Sequence, residues 1–193
     1  RRVLFRSFLK RRGEMQWISR LNHALEGDRF VLWGQPIVST DGDSREHFEI
    51  LIRMLDDDDS LISPGDFIPA AEKYNLMPAV DRWVLTSAFK RLSTFAEGGR
   101  TPMVSINLSG ASIADEGMLD FIRRLFESSQ VEPTQICLEI TETTAIANMS
   151  RATSFIKRLK SLGVSFALDD FGNGFSSFAY LKHLPVDYLK IDG

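Results

Sequence analysis

The sequence predicts an α/β fold, a TIM-like (β/α)8 barrel, on three observations. Short apolar runs alternate with longer stretches of helical periodicity. No glycine-rich phosphate loop opens the first βα unit, which weakens a doubly wound dinucleotide fold. Acidic and amide residues recur at or near the C-terminal ends of successive runs, the rim on which such barrels carry their chemistry.

The elements follow in chain order. Trp17, Ile18, Leu21, Ala24 and Leu25 recur at helical spacing, with Gly27 as the stop. Residues 30–38 read as a strand carrying Gln35-Pro36, and the turn Thr40-Asp41-Gly42-Asp43 leads to a second strand over 47–55. The acidic run 56–59 reads as a solvated loop. Ser63-Pro64 starts a helix, serine as cap and proline in the first turn. A longer helix over 78–96 places Val80, Trp83, Val84, Ala88 and Leu92 on one face and ends at Gly98-Gly99.

From there a unit repeats. A strand over 103–108 precedes a helix bearing Met118, Phe121, Ile122, Leu125 and Phe126. A strand over 136–140 precedes a helix bearing Ala152, Phe155, Ile156 and Leu159, closed by Gly163. A strand over 164–168 precedes a short helix over 176–181, and residues 188–191 open another strand. Alternation of this kind implies right-handed βαβ units and a parallel sheet.

Composition fits one globular domain. The 193 residues are 44% apolar with a formal net charge of −3, so nothing global calls for nucleic acid or an anionic membrane. The single cysteine, Cys137, sits in an apolar run and reads as a packing residue; a reducing compartment fits. No run of 18 apolar residues is present to span a bilayer. Residues 1–12 carry six Lys or Arg with no apolar stretch behind them, which argues against a signal peptide. Two readings stand for this start: a linker from a preceding domain, or, for residues 1–7, a non-native adapter-encoded segment. The domain proper is read as 13–193.

Glu49, Asn107, Glu139, Asp169, Asp170, Lys190 and Asp192 lie toward strand ends or among apolar strand neighbours. Brought to one rim, Glu49, Glu139, Asp169 and Asp170 place up to four negative charges in a partly buried mouth, and one Lys190 cannot neutralise them. Divalent cations can, and carboxylates with an amide carbonyl suit hard ions such as Mg²⁺ or Mn²⁺. Two such ions activate water and stabilise the leaving oxygen in phosphodiester hydrolysis. Against this, acidic residues at strand ends are also ordinary helix caps. Glu49, Leu51 and Arg53 share one strand face, so Arg53 either holds a substrate phosphate or pairs with Glu49. The three histidines are too scattered for a zinc site, and no nucleophile elbow, Walker loop or CxxC is present.

These pieces stand in a recognisable order. They are Gln35-Pro36-Ile37, Glu49-Ile50-Leu51-Ile52-Arg53, Pro64-Gly65-Asp66-Phe67-Ile68-Pro69, Ser105-Ile106-Asn107-Leu108-Ser109, Leu138-Glu139-Ile140-Thr141-Glu142, Asp169-Asp170-Phe171-Gly172, Tyr180-Leu181-Lys182 and Leu189-Lys190-Ile191-Asp192. Together they resemble the EAL domain of bacterial cyclic di-GMP phosphodiesterases, over about 17–193. The resemblance implies an EAL-type barrel, incomplete because its last βα units lie beyond the sequence. It implies hydrolysis of cyclic di-GMP to linear pGpG with two Mg²⁺ or Mn²⁺ ions. Glu49, Asn107, Glu139, Asp169 and Asp170 would be ligands, with Asp170 also orienting the attacking water. Lys190 would contact that water or the phosphate. Gln35, Leu51, Arg53 and Asp192 would hold the dinucleotide, and Glu142 would fix the loop after Asp169-Asp170.

It further implies a homodimer, a preceding diguanylate cyclase (GGDEF) domain and sensory domains in a longer signalling parent, and a cytoplasmic location with any membrane anchor in segments outside this sequence. The alternative is a catalytically silent cyclic di-GMP receptor. Two departures are visible: the middle residue of Glu49-Ile50-Leu51 is Ile rather than Ala, and the loop reads Gly172-Asn173-Gly174-Phe175 where Thr and Tyr are usual. The 193 residues alone are expected to show little or no activity.

Overall fold

A computed structural model describes residues 16–40, 42, 45–172 and 180–191. Helix α1 covers 16–26, then strands β1 (Phe30–Ile37), β2 (His47–Leu55) and β3 (Leu61–Ile62) follow. Helices α2 (Pro64–Lys73) and α3 (Met77–Glu97) lead to β4 (Met103–Asn107). Helices α4 (Gly110–Ala114) and α5 (Met118–Glu127) lead to β5 (Ile136–Thr141). Helices α6 (Glu142–Ala147) and α7 (Met149–Lys160) lead to β6 (Ser165–Phe171), and a 3-10 turn at Tyr180–His183 precedes β7 (Tyr188–Ile191).

The strands form one sheet in the order β1-β2-β4-β5-β6-β7, with β3 paired to β2. β1 runs antiparallel to β2, and every later pair along that path is parallel. This is the arc of an incomplete TIM-like barrel, as the alternation implied. Period two divides each strand between two environments. On β4, β5 and β6 the residues Val104, Ile106, Ile136, Leu138, Ile140, Phe166 and Leu168 face the helices and join one apolar core. The other face carries Ser105, Asn107, Glu139, Thr141 and Asp169, above a small apolar cluster of Met103, Cys137 and Ala167.

The helices bury the faces that their spacing predicts. α5 buries Met118, Leu119 and Ile122, and α7 buries Ala152, Phe155, Ile156 and Leu159. Burying one such side chain fully contributes about 1.5–3 kcal/mol, so these two stripes alone fix both helices to the sheet. Their ends are less predictable. Ser63 occupies the cap position of α2 but its hydroxyl makes no cap bond, leaving the start to Pro64. α1 ends at residue 26 with Gly27 next, as read, and the left-handed residue of the turn is Asp28, φ +52°. The turn over 40–43 and the short helix read at 176–181 fall partly outside the described residues.

The acidic run 56–59 is a loop with Asp57, Asp58 and Asp59 exposed, as read from the sequence. It also carries ion pairs: Arg20 pairs with Asp56 at 2.6 Å and Arg29 with Asp59 at 2.8 Å. Both arginines come from the α1–β1 region, so the pairs clasp the end of β2 to the start of the domain. Local composition gave no sight of partners about 30 residues upstream.

Candidate metal centre

Four strands bring one cluster together. Lys190 on β7 donates from Nζ to Glu49 Oε2 on β2 at 3.0 Å, to Glu139 Oε2 on β5 at 2.5 Å and to Asp169 Oδ2 on β6 at 3.3 Å. One oxygen from each of the three carboxylates lies within 4.8 Å of the others. Asn107, the last residue of β4, donates through its amide to Glu49 Oε1 at 3.0 Å, which leaves its carbonyl oxygen as the ligand atom. Glu49 is third of nine in its strand rather than at an end. It reaches the cluster because it sits level with Ser105 while Asn107 sits level with Glu139, a staggered register.

The charge balance is uneven. Two carboxylates 4.8 Å apart repel by about 3 kcal/mol at a surface-like dielectric, and one ammonium offsets only one of three. Glu139 is the most enclosed, at 1% exposed. Burial pushes its carboxyl above the ordinary value, and the Lys190 bond pulls it back. Burial alone would lower the Lys190 ammonium, but the bonds to Glu139 and Glu49 outweigh it and hold it above its usual range. An all-oxygen donor set with surplus negative charge fits a hard divalent cation.

Asp170 stands beside this cluster rather than in it. Successive strand residues point apart, and Asp170 takes φ +55° at an irregularity in the β6–β7 pairing. Glu142, the first residue of α6, is buried and does not touch Lys190; its Oε2 accepts from the Gly172 amide at 3.2 Å and its Oε1 from the Tyr180 hydroxyl at 2.5 Å. Asp192 lies outside the described residues.

A cleft of about 300 Å³ opens from the cluster, lined by Leu51, Arg53, Asn107, Glu139 and Thr141 on the sheet and by Ile68, Met77 and Asp81 from α2 and α3. Arg53 does not pair with Glu49, which Lys190 takes instead; its guanidinium lies 5.2 Å over the Trp33 ring. Gln35 is exposed on β1, directly opposite Glu49.

Sequence reasoning missed three participants. Trp33 was not singled out within the strand over 30–38. Ser105 meets His47 Nε2 at 2.9 Å within the sheet. Asp81, buried on α3, accepts from the Ser109 amide at 3.0 Å and from the Ser109 and Ser112 hydroxyls, both at 2.6 Å, and so fixes the turn two residues beyond Asn107. Its helical position gave no signal, because its partners lie about 30 residues away. Cys137 is buried as expected, its thiol pushed up to about 12 by burial.

Burial raises the Asp81 carboxyl above its ordinary 3.8 despite those donors. The folded chain therefore holds a proton that the unfolded chain releases, and stability falls as pH rises from 3.8 through the folded value. Asp81→Asn removes that titration. The stability difference between wild type and Asp81→Asn is expected to shift against wild type across this window, read by denaturant melts at several pH values; parallel curves would refute it.

Carboxylates from parallel strands of one sheet, converging on one lysine beside a cleft, define a barrel domain with an acidic, cation-ready centre. The chain belongs to the EAL domain family, whose sequence model matches residues 18–193. It is 42% identical over 183 residues to the cyclic di-GMP phosphodiesterase PdeB of Shewanella oneidensis, covering 94% of this chain and 21% of that protein. It is 35% identical over 180 residues to the bifunctional diguanylate cyclase/cyclic di-GMP phosphodiesterase MucR of Pseudomonas aeruginosa, covering 93% and 26%. Its fold matches the crystal structure of the FimX EAL domain from Pseudomonas aeruginosa bound to c-di-GMP, with a TM-score of 0.86 and 32% identity over 92% of this chain and 71% of that one. The chain thus spans about a fifth to a quarter of the curated relatives' length.

Proposed function

We propose that this chain is the hydrolytic domain of a cyclic di-GMP phosphodiesterase that opens the ring to linear pGpG. The observation that carries this is the convergence of Glu49, Glu139 and Asp169 on Lys190 at the mouth of a cleft that also holds Arg53. Glu49, Asn107, Glu139, Asp169 and Asp170 would hold two Mg²⁺ or Mn²⁺ ions. When bound, such ions lower the pKa of water and stabilise a leaving oxygen.

The chain's own groups do the rest. Water attacks phosphorus, the bond from phosphorus to the 3′ oxygen breaks, and the 3′ hydroxyl leaves with a proton. Asp170 orients the attacking water. Lys190 donates to that water or to a phosphate oxygen in place of one of its three carboxylate partners. Arg53, steadied on Trp33, holds a phosphate, and Gln35, Leu51 and Asp192 hold the dinucleotide. Glu142 acts through the backbone at Gly172. We place the domain in a cytoplasmic, homodimeric signalling protein with GGDEF and sensory domains; the name of MucR, which joins a diguanylate cyclase to a phosphodiesterase, supports the GGDEF part alone. Among the described residues no helix is long and apolar enough to cross a membrane.

The test is chromatography of the complete gene product incubated with cyclic di-GMP and Mg²⁺ or Mn²⁺. Appearance of pGpG that stops with chelator is expected. Tight binding without turnover would replace this reading with a receptor, and neither binding nor turnover would refute both.

A further inference from the structure

We propose that Tyr180 is a positioning residue, which latches Glu142 and through it holds the left-handed turn that aims Asp170. The inference deepens the phosphodiesterase reading and rests on it for its kinetic arm. Asp170 is a non-glycine residue at φ +55°, and Gly172, two positions on, is at φ +107°. Aspartate enters this left-handed region more readily than most side chains, as Asp28 and Asp59 also do, so the turn is accessible but needs partners to select it. One restraint on this turn is Glu142. One of its carboxylate oxygens accepts from the Gly172 amide at 3.2 Å.

A lone carboxylate could rotate about its side-chain torsions and release that amide. The Tyr180 hydroxyl prevents this by donating to the other oxygen at 2.5 Å. Glu142 is only 3% exposed, so water does not replace either donor cheaply. The phenol is itself firmly carried. Leu184 is buried four residues on, and Asp187 accepts from the Phe166 amide and pairs with Lys160. Tyr180 thus ties the return segment before β7 to the turn after β6, with Glu142 as the bridge. The same return segment leads into Lys190. One hydroxyl therefore couples the placement of Asp170 to that of the strand bearing the central ammonium.

The experiment uses Tyr180→Phe, which keeps the ring and removes only the donor, alongside Glu142→Ala and the double substitution, all in the complete gene product. Three readouts are taken: amide hydrogen exchange at Gly172, Mn²⁺ affinity by paramagnetic resonance titration, and kcat and KM for cyclic di-GMP. Loss of an orienting partner typically costs 10–100-fold in affinity or activity, so Tyr180→Phe is expected to speed Gly172 exchange, weaken Mn²⁺ and lower kcat by about tenfold each, with KM little changed. The double substitution is expected to be no worse than Glu142→Ala alone, because both act through one bridge. Unchanged exchange and unchanged Mn²⁺ affinity in a folded Tyr180→Phe protein, or additive effects in the double, would overturn the latch. Absence of turnover in the unsubstituted protein would instead sink the phosphodiesterase reading, with the exchange and Mn²⁺ arms still deciding on the latch.

Discussion

Glu49→Ala is expected to abolish metal-dependent cleavage of cyclic di-GMP while leaving the domain folded. The two halves of that result have separate physical origins. Glu49 supplies one of three convergent carboxylates and, through Oε1, accepts the amide that orients Asn107. Removing it deletes one ligand and frees another to turn. Polarisation by a bound cation supplies several kcal/mol of transition-state stabilisation, and each 1.36 kcal/mol is tenfold in rate, so a loss of about a thousandfold or more follows. Stability should change little. Glu49 is 18% exposed, Lys190 keeps Glu139 and Asp169, and removal of one like charge relieves repulsion. The checks are pGpG production, Mn²⁺ titration and a thermal melt on the same preparation. Wild-type turnover in this variant would mean that the metal assignment is wrong.

The helix and strand order came through because β4, β5 and β6 are buried and read as short apolar runs, while α5 and α7 repeat apolar residues at helical spacing. Glu139 and Asp169 were legible for the same reason: each is a charge inserted into an apolar strand, where a plain core would not place one. Glu49 required the register, since it lies early in its strand and meets the others only through stagger. The acidic run 56–59 was legible as an exposed loop, but its ion pairs with distant arginines leave no local trace. Asp81 was invisible for a related reason. A polar residue on a helix looks solvated until the serines that claim it are brought from 28 and 31 residues away. Long-range polar partners are what local patterning lacks, and they hold both Asn107 and Gly172 in place.

Lys190→Met is the second substitution with a large expected effect, this time on stability. The ammonium is the only cation within hydrogen-bonding distance of the three carboxylates among the described residues, and Glu139 beneath it is almost fully enclosed. Methionine preserves the stem's packing and removes the charge. Breaking a buried pair by deleting one partner typically costs 3–5 kcal/mol, because the survivor is left uncompensated. The lower end applies here, since Lys190 and Asp169 remain partly exposed, at 29% and 21%. A loss of about 3 kcal/mol corresponds to roughly 10 °C in Tm for a chain of this size. Melts in chelator should therefore separate wild type from the variant by about that amount. Added Mn²⁺ should close most of the gap, since a divalent ion held by the same oxygens replaces the missing charge and stabilises the folded state by mass action. A variant that melts with wild type in chelator, or one that Mn²⁺ fails to rescue, would show that these carboxylates neither need the ammonium nor accept a cation in its stead.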